Sequence, residues 1–223
     1  MTDMTATIAD QVAEMRATPR RPLPADVAAA FGRWVAQLTA AGVPAGAARP
    51  GTMLSDAPML DAHGAATSLR AATAARPAVI VFYRGAWCPY CNLTLRAYQD
   101  QLYPALTERG IALIAVSPQK ADGSLTAQEK NDLQFPVLSD AGNALASQLG
   151  ILLSARTREL RAAQEKLGTD LHAVNADGTE NLPMPTVVLI DAEMTIRWID
   201  IHPDYTTRTE VTDILAAADT VFS

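Results

Sequence analysis

Two cysteines, the only ones in a chain of 223 residues, stand at Cys88-Pro89-Tyr90-Cys91. Directly before them runs Val79-Ile80-Val81-Phe82-Tyr83, unbroken, rich in β-branched and aromatic residues, and ending at Arg84-Gly85. Such a run reads as a strand buried on both faces of a sheet. Directly after them Leu95, Tyr98, Leu102 and Leu106 recur at helical spacing, with Gly110 as the stop. Pro104 is expected to kink or divide that helix. Ile111 to Val116 is a second buried strand. Strand, helix, strand at this length is a βαβ unit, and the cysteines fall where strand hands over to helix.

That placement carries chemistry. A helix start offers free N–H groups and partial positive charge, which favour a thiolate on Cys88. Arg84, four residues upstream, adds positive charge, and Trp87 is placed to shield the pair. Cys91 lies one turn later, close enough to attack a mixed disulfide or a sulfenic acid on Cys88. Pro89 at the first helical position wastes no N–H. A structural disulfide across so short a loop would remove little unfolded-state entropy. Zinc would need two more ligands, and the three histidines are scattered singly. Two inert buried thiols are the remaining bland reading. A CxxC between a buried strand and a helix favours redox work, with Cys88 attacking and Cys91 resolving. No metal or cofactor is expected.

The rest of the chain reads as support. Met4, Ile8, Val12 and Met15 form one helical stripe, broken by Thr18 to Pro24. Val27, Phe31, Trp34, Val35 and Leu38 form another, stopped by Gly42 and Pro44. These helices either cover the main domain or make a homodimer contact. Residues 1–50 are therefore read as an N-terminal helical extension and 51–223 as the α/β domain, with Ala45 to Gly51 as the linker. A hairpin with its turn at His63-Gly64 is expected within Met53 to Leu69, with His63 a turn residue rather than a ligand. Beyond the βαβ unit, Thr126 to Glu129 fits a capping box opening a short helix. Phe135 to Leu138 suits a short strand, Asn143 to Leu149 a short helix, and Thr157 to Leu167 a longer one. Thr169 to Met184 reads as a long polar loop at the mouth of a site. Thr186 to Ile190 and Thr195 to Ile201 form an antiparallel hairpin, and Thr207 to Glu210 a capping box for the last helix. The sum is an α/β fold with a mixed central sheet flanked by helices. Pro185, just before Thr186 and a strand, is expected to follow a cis bond that brings backbone beside Cys88 and offers hydrogen bonds to substrate.

The net charge of −6 with no Lys/Arg cluster argues against a nucleic-acid partner. No apolar run approaches ~18 residues and the start lacks a basic and apolar leader, so a cytoplasmic chain without membrane insertion is expected.

WCPYC after a buried strand, with Met184-Pro185-Thr186 before a later one, resembles the thioredoxin fold. The wider pattern resembles the peroxiredoxin-like branch of the alkyl hydroperoxide reductase and thiol-specific antioxidant family. The stretches that carry it are Val81 to Arg96 (VFYRGAWCPYCNLTLR), Ile114 to Gln119 (IAVSPQ), Phe135 to Gly142 (FPVLSDAG) and Pro185 to Asp191 (PTVVLID). The resemblance implies a thioredoxin-like fold with an N-terminal hairpin, an insertion, and a peroxidatic-type Cys88. Two positions depart from it. Peroxiredoxins place Thr or Ser where Gly85 stands, and Arg where Pro185 stands; both side chains activate the peroxide O–O bond. Arg84 is a partial substitute for the Arg, and the Pro-Tyr pair between the cysteines is similar to the glutaredoxin one. The leading expectation is a thiol-dependent antioxidant oxidoreductase acting on disulfides, recycled by thioredoxin, glutaredoxin or glutathione. A hydroperoxide reductase is the alternative, and a redox sensor or binding module without turnover is the third.

Overall fold

A seven-stranded sheet in the order β2-β1-β5-β4-β3-β8-β9 runs through the computed structural model, which describes residues 6–19, 22–153 and 157–222. In chain order the elements are α1 (Ile8–Ala17), α2 (Ala25–Ala41), β1 (Pro58–Leu60), β2 (Ala66–Ser68), α3 (Leu69–Thr73) and β3 (Ala78–Phe82). Then come α4 (Pro89–Ala97), a π-helical turn (Tyr98–Leu102), α5 (Tyr103–Glu108), β4 (Ala112–Ser117), α6 (Ala121–Lys130), β5 (Val137–Ser139) and α7 (Ala144–Gln148). The chain continues with β6 (Leu152–Leu153), α8 (Arg158–Lys166), α9 (Leu171–Val174), β7 (Leu182–Pro183), β8 (Thr186–Ile190), β9 (Ile196–Ile201) and α10 (Val211–Val221).

The sheet is mixed, as expected. β3 pairs parallel with β4, and β4 with β5; β8 runs antiparallel between β3 and β9. Every residue of β3 and β4 is buried. Alternation sorts their side chains to two faces. Val79, Val81 and Tyr83 pack with α1, α4 and α10 on one face, through Ile8, Leu95 and Ile214 among others. Ile80 and Phe82 pack on the other with Trp34 of α2, Leu145 of α7 and Leu160 of α8. Each large aliphatic side chain so buried contributes about 1.5–3 kcal/mol of transfer free energy. The apolar stripes of α1 and α2 thus pack within the chain, with Ile8, Val12, Val27 and Trp34 buried and Phe31, Val35 and Leu38 partly so. Met4 lies outside the described residues.

The β1–β2 hairpin turns at His63-Gly64, where Asp61 Oδ1 accepts from the N–H of His63 and of Ala65, each at 2.9 Å. The helix after the cysteines is divided by the π turn, and α5 opens with Pro104 in its first turn. Proline cannot donate back along a helix, so the turn register must change there.

Four expectations are corrected. Thr126 lies inside α6 and its hydroxyl donates to Asp122 O at 2.9 Å; the N-cap is Lys120. Thr207 does not cap α10; Glu210 is its N-cap and sends its carboxylate elsewhere. The stretch from Thr169 to Met184 contains α9 and β7, and its backbone binds the segment after β4, with Lys120 N donating to Val174 O at 3.0 Å. It does not line the crevice at the cysteines described below. Finally, no peptide bond among the described residues is cis, including that before Pro185. Extended backbone carries the chain from β7 directly into β8, and the Pro185 carbonyl accepts from His202 N–H at 2.9 Å within the sheet instead of waiting for substrate.

Candidate active site

β3 delivers the chain to the dithiol. Tyr83 N–H still donates to Val116 O at 3.0 Å, and the chain then leaves the sheet at Arg84 and Gly85. Gly85 has φ +145°, and a Cβ there would lie 2.5 Å from Trp87 Nε1 and 2.8 Å from Gln119 Cδ. Only glycine fits, in conformation and in space. This is the position where the resemblance calls for Thr or Ser. Ala86 is clamped on both sides: its N–H donates to Gln119 Oε1 at 2.6 Å and its carbonyl accepts from Asn92 Nδ2 at 2.8 Å. Asn131 Nδ2 donates to Asn92 Oδ1 at 3.1 Å, and Arg96 donates to Asn131 Oδ1 at 3.2 Å. A buried network satisfied at each step holds the loop in one conformation. Cys88 follows as the N-cap of α4, with Pro89 next to it.

Both cysteines are free thiols and each is 1% exposed. Arg208, from the connection between β9 and α10, places Nη2 3.2 Å from Cys91 Sγ. Burial pushes both thiols up, because it disfavours a charged sulfur. At Cys91 that effect is outweighed by the hydrogen bond from Cys88, the Arg208 charge and the Arg84 backbone, so its pKa falls well below the usual thiol range. At Cys88 the hydrogen bond and charge of Cys91 add to burial, and the pKa rises well above it. Within the reduced pair, negative charge is thus favoured on Cys91 over Cys88. The Cys88 side chain makes no capping hydrogen bond to α4, so the helix start does not hold its charge as the spacing suggests. A crevice of about 10 Å³ opens at Cys91, bordered by Tyr83, Pro185, Thr186, His202 and Arg208; this is room for about one water.

The other expected residues surround the pair. The Arg84 side chain is buried, 2% exposed, and its guanidinium lies 4.2 Å from the ring centre of Tyr205, 4.9 Å from Trp87 and 5.3 Å from Trp34. Its Nε and Nη2 have no hydrogen-bond partner among the described residues. Trp87 is half-buried above it. Thr186 is buried opposite Phe82 and turns its hydroxyl back to Met184 O at 3.0 Å. Tyr90, between the cysteines, meets Tyr205 edge-on at 6.1 Å and lies under Arg16 of α1, whose Cζ is 5.6 Å from the ring centre.

Arg208, Tyr205 and Trp34 were not legible as site residues. Arg208 stands 117 positions from its sulfur, in a segment read only as a helix cap. Trp34 was one member of an apolar stripe. The usable signal lay in topology: β9 sits two strands from β3, so the loop after β9 ends near the loop after β3.

The model of the AhpC/TSA family matches residues 50–199, more than half the chain. The chain belongs to the AhpC/TSA family. Within it, the chain is 30% identical over 154 residues to peroxiredoxin Q, chloroplastic, of Oryza sativa subsp. japonica, a match covering 61% of this chain and 70% of that protein. It is also 31% identical over 75 residues to the thiol-disulfide oxidoreductase ResA of Bacillus thuringiensis, covering 33% of this chain and only 43% of that relative's length. Among solved structures, peroxidoxin BcpB of Mycobacterium tuberculosis superposes with TM-score 0.60 at 19% identity, over 78% of this chain and 99% of that one. The AhpC of the same organism gives 0.60 at 14%, over 79% and 94%. These structures share the peroxiredoxin, thioredoxin-like fold. The AhpC/TSA match includes both cysteines, Arg84, Trp87, Pro185 and Thr186; Trp34, Tyr205 and Arg208 lie outside it. Among the described residues no helix is long and apolar enough to cross a membrane.

Proposed function

We propose that this AhpC/TSA-family oxidoreductase is a dithiol enzyme that reduces protein or small-molecule disulfides. The observation that carries the reading is the buried pair of free thiols, Cys88 and Cys91, with Arg208 Nη2 3.2 Å from Cys91 Sγ, on a loop whose Gly85 excludes the hydroxyl side chain a peroxidase would place there. Cys88 passes its proton to the Cys91 thiolate as it attacks one sulfur of the substrate. The substrate S–S bond breaks, and the first thiolate leaves. Cys91 then gives its proton to that leaving group and attacks Cys88 Sγ, expelling the second thiolate. Two electrons go to the substrate, and an intramolecular disulfide remains. Thioredoxin, glutaredoxin or glutathione returns the pair to the dithiol. With both sulfurs buried, the substrate must displace neighbouring side chains to reach Cys88.

Hydroperoxide reduction is the second reading, supported by the likeness to peroxiredoxin Q and by the cation that Arg208 supplies. In it Cys88 becomes a sulfenic acid that Cys91 condenses with, releasing water. For the leading reading, the Cys91→Ser variant incubated with oxidised glutathione should retain one glutathione on Cys88 by mass spectrometry. A glutathione adduct on Cys91 in the Cys88→Ser variant, and none on Cys88 in the other, would reverse the roles.

A further inference from the structure

Arg84 is a cation in an unusual setting. It is buried beside the dithiol, and the groups packed on it are three aromatic rings, from Trp34, Trp87 and Tyr205. Two of its nitrogens, Nε and Nη2, have no hydrogen-bond acceptor among the described residues. A carboxylate would hold a guanidinium at least as firmly, but it would also cancel the positive field at the sulfurs. Aromatic faces hold a cation through their quadrupole and carry no net charge, so the field survives. The rings come from three parts of the chain: the active-site loop, the loop after β9, and α2. The last two lie outside the AhpC/TSA match at residues 50–199. Arg208 is already engaged with Cys91 Sγ at 3.2 Å. The thiolate that Cys88 must develop has no such donor in the resting pair.

We propose that Trp34, with Trp87 and Tyr205, is a positioning residue for the redox reaction. The three rings hold the Arg84 guanidinium, its Nε and Nη2 N–H groups unspent among the described residues, as the counter-ion for charge arising on Cys88 during turnover. The two sulfurs then have one cation each: Arg208 for Cys91 and Arg84 for Cys88. In keeping with this, Arg84 is the larger of the two positive influences on Cys88, and Arg208 the larger on Cys91. The second N-terminal helix is thereby part of the active site, and its contribution is electrostatic. This deepens the dithiol reading and rests on it.

The test uses the full chain with Cys91→Ser, which leaves Cys88 as the lone thiol. Its ionisation is read from thiolate absorbance at 240 nm across pH, with no substrate, so the result is separable from any failure of disulfide reduction. The charged and titratable groups facing Cys88 in that protein are Arg84, Arg208 and Tyr205. Arg84→Met should raise the midpoint most. Trp34→Leu, which fills space without a π face, should raise it by about one pH unit, about tenfold less thiolate at neutral pH, and Trp34→Phe should largely restore it. If Trp34→Leu does not fold, biosynthetic fluorotryptophan carries the test in a Trp198→Phe background. Fluorination weakens the π face at nearly constant shape, so the midpoint should rise with each added fluorine. An unmoved midpoint in the Leu or fluorinated proteins, with Arg84→Met still shifting it, would reduce the rings to packing. An unmoved midpoint in Arg84→Met would remove Arg84 as counter-ion.

Discussion

Charge at the dithiol sits one helical turn further along than the spacing of the motif implies. A cysteine at a helix N-cap is a sound expectation for a thiolate, yet burial wins at Cys88 because nothing at the start of α4 bonds its sulfur. Cys91 is the better place for charge because Arg208 Nη2 lies 3.2 Å from its sulfur and hydrogen bonding within the pair lowers its pKa. Removing the guanidinium in Arg208→Met should raise the first thiolate midpoint and move the pH–rate profile for disulfide reduction to higher pH, by about one unit or more. The sign extends to stability. Cys91 has a folded pKa below that of the unfolded thiol, so its contribution is complete above the unfolded value of about 8.5 and is lost as pH falls through the folded one. Denaturant titrations of the reduced protein should show that loss on acidification, and Arg208→Met should show less of it. At this scale the sequence spoke for the two cysteines and for their neighbours Arg84 and Trp87, because those are adjacent in the chain. It was silent on Arg208, Tyr205 and Trp34, which meet the site only through tertiary packing.

Elements were more legible than their ends. β3, β4 and β8 stood out as apolar runs because they are buried on both faces, and the His63-Gly64 turn announced its hairpin. The helix caps went wrong where a Ser/Thr-x-x-Glu pattern occurred by chance inside or ahead of a helix. Glu210 shows why. Its carboxylate accepts from Ile8 N–H and Ala9 N–H, both at 2.8 Å, and so caps the first turn of α1, some two hundred residues away. A pattern read locally cannot see a cap supplied from the other end of the chain. α1 in turn packs in the cluster that holds both cysteines, with Tyr90 and Trp87 against it, so this cap helps keep that cluster in place. Glu210→Ala should cost about 1–2 kcal/mol. Amide exchange at Ile8 and Ala9 should speed up while that in β3 stays unchanged.

Across the whole molecule, the sheet order brings three distant segments to one end: the loop after β3, the extended entry to β8 and the loop after β9. The mixed α/β architecture followed from the order of apolar runs. Which loops would converge did not, since strand order is decided by packing of the two faces rather than by chain order. The convergence supplies two cations and a confined dithiol, while Gly85 and Pro185 stand where a peroxidase would keep a hydroxyl and a guanidinium. Disulfides should therefore be the preferred oxidant. Stopped-flow mixing of the reduced protein with hydrogen peroxide, an alkyl hydroperoxide and a model disulfide, followed by tryptophan fluorescence, measures that preference directly. The expected result is rapid oxidation by the disulfide, with peroxides reacting little faster than with free cysteine. Peroxide oxidation far faster than that of free cysteine, with the disulfide inert, would contradict it.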